Sequence, residues 1–230
     1  MDVKKRQDPF LVISLLFLAG TLVIGFMLYQ NLSQAFQNEE RQSNLHLAEE
    51  DEKFHYIIPQ QATEFQEGIF GQLLQAKENG ADTRELAGLV VQNFVADFFT
   101  WSNKEGRHDV GGLQFIASDI RQNFRQAAID GFYLYLNQYL ETLGPEGLME
   151  VNSVSITNVD VDYQWAEVEM DPETLEELTT YLPVIRVEAQ WAYRGGFWDF
   201  QREAVFYLTH EDGYLSIRSM MAPDEEEAYG

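Results

Sequence analysis

The sequence predicts an α+β protein: an N-terminal transmembrane helix, then helices packed on a curved antiparallel sheet. Three observations carry this expectation. Residues 10–29, FLVISLLFLAGTLVIGFMLY, hold no charge. From about residue 61 to 143 apolar side chains recur at helical spacing, and after Pro145 the period drops to two and stays there. Helices grouped first and strands grouped last give segregated layers, with the helices covering one sheet face.

At roughly 1.5 Å rise per residue, the uncharged run from Phe10 through Leu16 and Leu22 to Tyr29 spans roughly 30 Å of hydrocarbon. Thr21 and Gly25 are small residues four apart, a spacing at which two membrane helices approach closely. Lys4, Lys5 and Arg6 precede the run and Arg41 is the first basic residue after it. That bias puts residues 1–9 in the cytoplasm and everything after Tyr29 outside a cell membrane crossed once. A cleaved signal peptide would have a shorter apolar region and a small-x-small site, which Ser33-Gln34-Ala35 matches poorly. Residues 30–58 read as a polar stalk that Pro59 ends, residues 59–222 as one extracytoplasmic domain, and residues 223–230 as an acidic tail.

The 230 residues carry a net charge of -23, with 45% hydrophobic and 13% aromatic residues and no cysteine. Residues 1–30 hold three basic and two acidic side chains, so the exterior part carries -24. Such a surface repels phosphate, which excludes direct nucleic-acid binding. An exported chain without cysteine folds by core packing alone, which suits a bacterial envelope, and a Gram-positive one in particular.

Four helices are expected. The first covers residues 61–77, with Phe65, Ile69 and Leu73 on one face and a stop at Asn79-Gly80. The second starts at Asp82, with Glu85 three residues on as in a capping box, and carries Leu86, Val90, Phe94, Phe98 and Trp101 to about residue 102. Its wide aromatic face marks it as the central core helix. A loop ending in Gly111-Gly112 leads to a third helix over 113–125 and a fourth over 127–143, stopped by Gly144-Pro145.

About five antiparallel strands follow. Val151, Val154, Ile156, Val159 and Val161 alternate with two shifts of parity, as in one long strand bent by bulges. Residues 163–170 alternate again, and Asp171-Pro172 opens a loop or short turn reaching Pro183. Ile185, Val187, Ala189, Trp191 and Tyr193 share one face of the next strand. Gly195-Gly196 is a hairpin turn, a strand from about Trp198 to Leu208 follows, and Glu211-Asp212-Gly213 turns into a last strand over 214–220. The face bearing Arg186, Glu188, Gln190, Gln201, Glu203 and Tyr207 is expected to meet water.

The residues that could carry chemistry are few. No nucleophile elbow, P-loop, dinucleotide fingerprint or HExxH motif occurs. His46, His55, His108 and His210 sit where solvated histidines commonly sit, and a zinc site on His108 and Asp109 lacks partners. Asp160 and Asp162, with Glu167 and Glu169, could offer oxygen to calcium but lack the ligand spacing of a dedicated loop. A cone-shaped pocket under the helices would be catalytic only if apolar walls raised the pKa of a carboxylate, which singles out Asp97, Asp130, Tyr133 and Tyr135. No cofactor is expected and the chain reads as non-enzymatic. Arg107 and His108 in the glycine-flanked loop, and Arg186 and Glu188 on the open sheet face, are the expected partner contacts.

The uncharged run, the helix VVQNFVADFFTW, the DVGG turn at residues 109–112 and the strand pair VIRVEAQWAYRGGFWDFQREAVFYL together resemble the bitopic scaffold proteins of type IV secretion and conjugation systems, the Gram-positive TcpC-like branch above all. The exterior domains of that family have the nuclear transport factor 2-like cone fold. The resemblance lies in layout, with an additional helix over 61–77 and a more acidic charge. It implies an anchored, self-associating scaffold of a conjugation channel that docks other envelope proteins. The alternatives are a membrane-tethered ligand-binding or enzymatic cone domain and an assembly factor for the cell envelope.

Overall fold

The computed structural model describes residues 56–170, 177–195 and 200–223, and only the backbone of residues 167–170 and 177–179. The expected anchor at Phe10, Leu16, Leu22 and Tyr29, the Thr21–Gly25 pair, and His46 and His55 lie outside the described residues. So does nearly all of the stalk and the tail. Among the described residues no helix is long and apolar enough to cross a membrane.

The chain order is helices first and sheet last. Helix α1 covers Glu64–Glu78, and Thr63 caps it in a reciprocal capping box with Gln66. Helix α2 covers Thr83–Phe98 and starts as predicted, the Asp82 carboxylate accepting from the Glu85 N–H at 2.9 Å. It ends before Trp101, whose N–H is drawn away to donate to the Met149 carbonyl at 2.9 Å.

The next two helices depart from expectation. Residues 113–115 form a single tight turn, after which Ile116 makes a parallel bridge to Ile217 of the last strand, and the Ala117 N–H donates to the Ile217 carbonyl at 3.0 Å. Helix α3 therefore begins only at Arg121, runs through the expected break at 126, and covers Arg121–Asp130. Gly131 ends it with non-helical backbone, and α4 covers Leu136–Leu143. Periodicity registers the apolar faces of this stretch but not the sheet edge that competes for Ile116.

The strands are β1 (Val151–Met170), β2 (Glu177–Tyr193), β3 (Glu203–Glu211) and β4 (Tyr214–Met221), in the order β1-β2-β3-β4 with every pairing antiparallel. Four described strands stand where about five were expected, because residues 151–161 and 163–170 belong to one strand. Its register slips between Val151 and Ser153, between Ile156 and Asn158, and between Asp160 and Tyr163. The first two slips fall at the parity shifts read in the sequence and keep Val151, Val154, Ile156 and Val159 in the core under the helices. The third sends Tyr163 and Trp165 to the opposite face.

Strand β2 begins at Glu177, so residues 177–183 are strand rather than loop. The turn between β3 and β4 is Asp212-Gly213, with φ of 49° and 90°, the left-handed pair that a two-residue hairpin needs.

Helix α2 is the centre of the core. Ala87, Val91, Phe94 and Val95 are fully buried, and the Phe94 ring meets Phe98 at 5.3 Å, Phe206 at 5.8 Å and Phe124 at 6.0 Å. The domain also reaches further back than residue 59. Tyr56 is 6% exposed, its hydroxyl donating to the Leu215 carbonyl at 2.8 Å and accepting from the Leu215 N–H at 3.2 Å.

Phe94→Ala should cost about 3–5 kcal/mol in urea unfolding, because a fully buried ring leaves a cavity its neighbours cannot close; a loss under about 1 kcal/mol would contradict this core.

Candidate functional site

Of the four residues nominated for pocket chemistry, the structure brings two together. Asp97, in the last turn of α2, is 7% exposed, and Tyr133, in the turn between α3 and α4, is fully buried. Around them the chain closes a polar knot. Lys104 Nζ meets Asp97 Oδ1 at 2.6 Å, and the Gly112 N–H donates to Asp97 Oδ2 at 2.6 Å. The Tyr133 hydroxyl donates to the Phe98 carbonyl at 2.6 Å and accepts from the Gly111 N–H at 3.3 Å. Burial pushes the Tyr133 hydroxyl well above its ordinary range, and the nearby Asp97 and Asp109 carboxylates add to the rise against the Gly111 hydrogen bond.

The DVGG turn owes both its glycines to this closure. A Cβ on Gly111 would lie 2.4 Å from the Asp97 carbonyl oxygen, and Gly112 has a φ of 73° with the Phe94 ring 2.7 Å from where its Cβ would be. The knot thus fastens the loop over 99–112 onto the end of α2. Both Asp97 oxygens are engaged by this loop, so the arrangement holds structure. Asp130 and Tyr135 stand apart: Asp130 is exposed and accepts from Gln126 Nε2 at 2.7 Å, while Tyr135 is 59% exposed.

The four expected partner contacts fall on two separate surfaces. Arg107 and His108 are half-buried in the loop, where the Arg107 N–H donates to Asn137 Oδ1 of α4 at 2.8 Å and the Arg107 Nε–H donates to His108 Nε2 at 3.1 Å. Asp109 closes the same loop by accepting from the Glu105 N–H at 3.0 Å. Arg186 and Glu188 pair on the outer face of β2, and the Arg186 guanidinium lies 5.9 Å over the Tyr163 ring.

This outer face is only in part the wetted face that alternation suggested: Gln190, Gln201 and Glu203 are exposed, but Arg186 and Glu188 are half-buried and Tyr207 is covered. Tyr207 is 2% exposed, with the edge of the Trp165 ring at 4.5 Å and Tyr163 at 5.6 Å, and Val184 and Val205 are buried beside it. The third slip in β1 delivers those two rings. The strand expectation marked the parity of Trp165, but not which face it would cover.

Asp160 and Asp162 sit at that slip, where the Asp162 N–H donates to Asp160 Oδ1 at 3.0 Å. The Asp160 carboxylate thus bonds the irregular backbone, and the Glu167 and Glu169 side chains lie outside the described residues. His210 is exposed at the end of β3. Sequence reasoning missed Lys104, which fell within the expected loop ending in Gly111-Gly112. The one available signal was a basic residue seven positions after a carboxylate on an otherwise aromatic helix face.

No protein-family model, no curated protein and no solved structure matches the chain.

Two predictions follow from the knot and the buried tyrosines. Asp97→Asn should cost about 3–5 kcal/mol in denaturant unfolding because it strands a buried ammonium. Adding Lys104→Met should recover part of that loss, and strictly additive losses would show that the pair does not interact. Burial also pushes Tyr193 up to about 12. A hydroxyl whose pKa is raised on folding lends stability that is intact below pH about 10 and lost as pH rises past it, for Tyr193 until about 12. Between those values Tyr193→Phe should flatten the fall of stability with pH by about 1.4 kcal/mol per unit. An unchanged slope contradicts the assignment.

Proposed function

We propose that this chain is a membrane-anchored extracytoplasmic scaffold of a bacterial conjugation (type IV secretion) channel, that its domain is a nuclear transport factor 2-like cone, and that it acts by protein–protein contact. One observation carries the reading. Strands β1 and β2 stay paired out to Met170 and Glu177, whereas β3 leaves β2 at Ile185. The eight residues 177–184 and their partners on β1 therefore run on past the last β2–β3 pair as a two-stranded arm of roughly 25 Å, its base seated on Tyr207 through Tyr163 and Trp165. A two-stranded ribbon is marginal in water on its own, and an arm of that length serves contact with another molecule better than it serves a core.

Three further features support it. The slips in β1 bend the strand as a cone's curved sheet requires. Asp97 and Lys104 are paired with each other and Asp97 also accepts from the Gly112 N–H, while the Tyr133 hydroxyl is bound to the backbone of Phe98 and Gly111. The uncharged run at residues 10–29 supplies an anchor, residues 30–55 a spacer, and a tethered domain with a two-stranded arm is the form an envelope docking part needs. The partners in this reading are other channel proteins and further copies of the chain.

The test is genetic and biochemical. The full-length protein should resist an alkaline carbonate wash of membranes and be cut by protease added from outside the cell. Removing its gene from the bacterium that carries it should lower plasmid transfer. Release by the wash, or transfer at the parental rate, would refute the proposal.

A further inference from the structure

Strand order places β1 at one edge of the sheet, and the two halves of that edge are treated differently. Over its first half α2 covers it. Arg84 Nη1 donates to the Val159 carbonyl, and Gln92 Nε2 donates to the Val154 carbonyl at 3.2 Å. These side chains occupy two of the carbonyls that a free edge would offer to another strand. Over residues 163–170 no described strand pairs with the outer side of β1. The arm's other edge, on β2, is open too, since β3 pairs no further than Ile185, but it carries the exposed Pro183, which has no N–H to give. Residues 163–170 contain neither Pro nor Gly. The β1 side of the arm is therefore the edge left able to accept a strand.

Charge selects the occupant. From residue 160 to 185 the chain has eight Asp or Glu and no Lys or Arg. A second copy pairing on this edge would set carboxylates against carboxylates, which destabilises a ladder, and a nucleic acid would be repelled. A strand bearing Lys or Arg gains both the main-chain ladder and the charge attraction. Tyr181 and Leu182, 65% and 36% exposed on the neighbouring strand, leave apolar surface at the same place.

We propose that the free edge of β1 over residues 163–170 docks an extended basic segment of a partner protein, which joins the arm as a third strand. This assigns the chemistry of a contact and stands whether or not the assembly is a conjugation channel.

Hydrogen exchange of the full-length chain tests it with a synthetic ten-residue peptide alternating Lys and Thr. At roughly ten times its Kd the peptide should slow the open-edge amides of residues 163–170 by about tenfold. A peptide of the same charge, with Pro in place of every second Thr, should not slow them. The charge-reversed variant Asp162→Lys/Gln164→Lys, altered at two exposed positions, should bind the Lys–Thr peptide more weakly and a Glu–Thr peptide more strongly. That gain with the Glu–Thr peptide can occur only if the variant is folded. Equal slowing by the Pro-interrupted peptide would reduce the effect to charge alone and overturn the proposal. Protection that grows with protein concentration in the absence of peptide would overturn it in favour of a second copy, and no slowing by the Lys–Thr peptide would overturn it outright.

Discussion

The packing of α2 against the sheet is the constraint from which the rest of the domain follows. Its buried face carries Val91, Phe94 and Phe98, with the Phe94 ring against Phe206 of β3 and the Phe98 ring against Phe124 and Phe132, and a face that wide excludes water from everything near it. Asp97 sits on the same helix at the margin of that face, and a carboxylate there must be paired. Lys104 and the Gly112 N–H pair it, which fixes the loop after α2, and the close approach fixes glycine at 111 and 112. The loop in turn positions Tyr133, and with it the bend between α3 and α4. A chain of local necessities thus runs from one apolar helix face to the placement of half the helical layer.

The sheet answers the same helix differently along its length. Where α2 lies beside β1, slips in register keep valine and isoleucine on the covered face, and α2 side chains close the strand's edge. Past Asp160 the third slip reverses the faces. Tyr163 and Trp165 then bury Tyr207 from outside, and the two strands continue without β3 or β4 beside them. The domain therefore holds a part where α2 side chains and Ile116 meet the outer edges of β1 and β4, and an open part where no described strand pairs with the outer side of β1. Function in the proposed scaffold belongs to the open part.

Much of this was legible in the sequence wherever the cause is local. The Asp82 cap, the apolar stripe of α2, the two parity shifts of β1 and the Asp212-Gly213 turn all follow from residues within a few positions of one another. What could not be read depends on partners far along the chain. Ile116 leaves its expected helix for Ile217, a hundred residues on. Strand β2 extends back to Glu177 because β1 is there to pair with it, which overrides the loop suggested by Asp171-Pro172. Of the nominated pocket residues, Asp97 and Tyr133 meet, whereas Asp130 and Tyr135 face outward. Helical periodicity placed Asp97 in the second expected helix and Asp130, Tyr133 and Tyr135 in the fourth, without the turn at Gly131 that separates inward Tyr133 from outward Tyr135. The outer aromatic cluster was hidden because a one-residue slip at Asp160 decides which face Trp165 serves.

The division between a closed core and an open arm is tested most directly by the native-state hydrogen exchange of the full-length chain alone. A core organised by α2 predicts that the amides of residues 87–98 and of β3 exchange slowest, near the limit set by global unfolding, while those of 163–170 and 177–184 open locally and exchange far faster. Arm amides as slow as those of α2, in a protein free of any partner, would contradict that division and place the arm within the core.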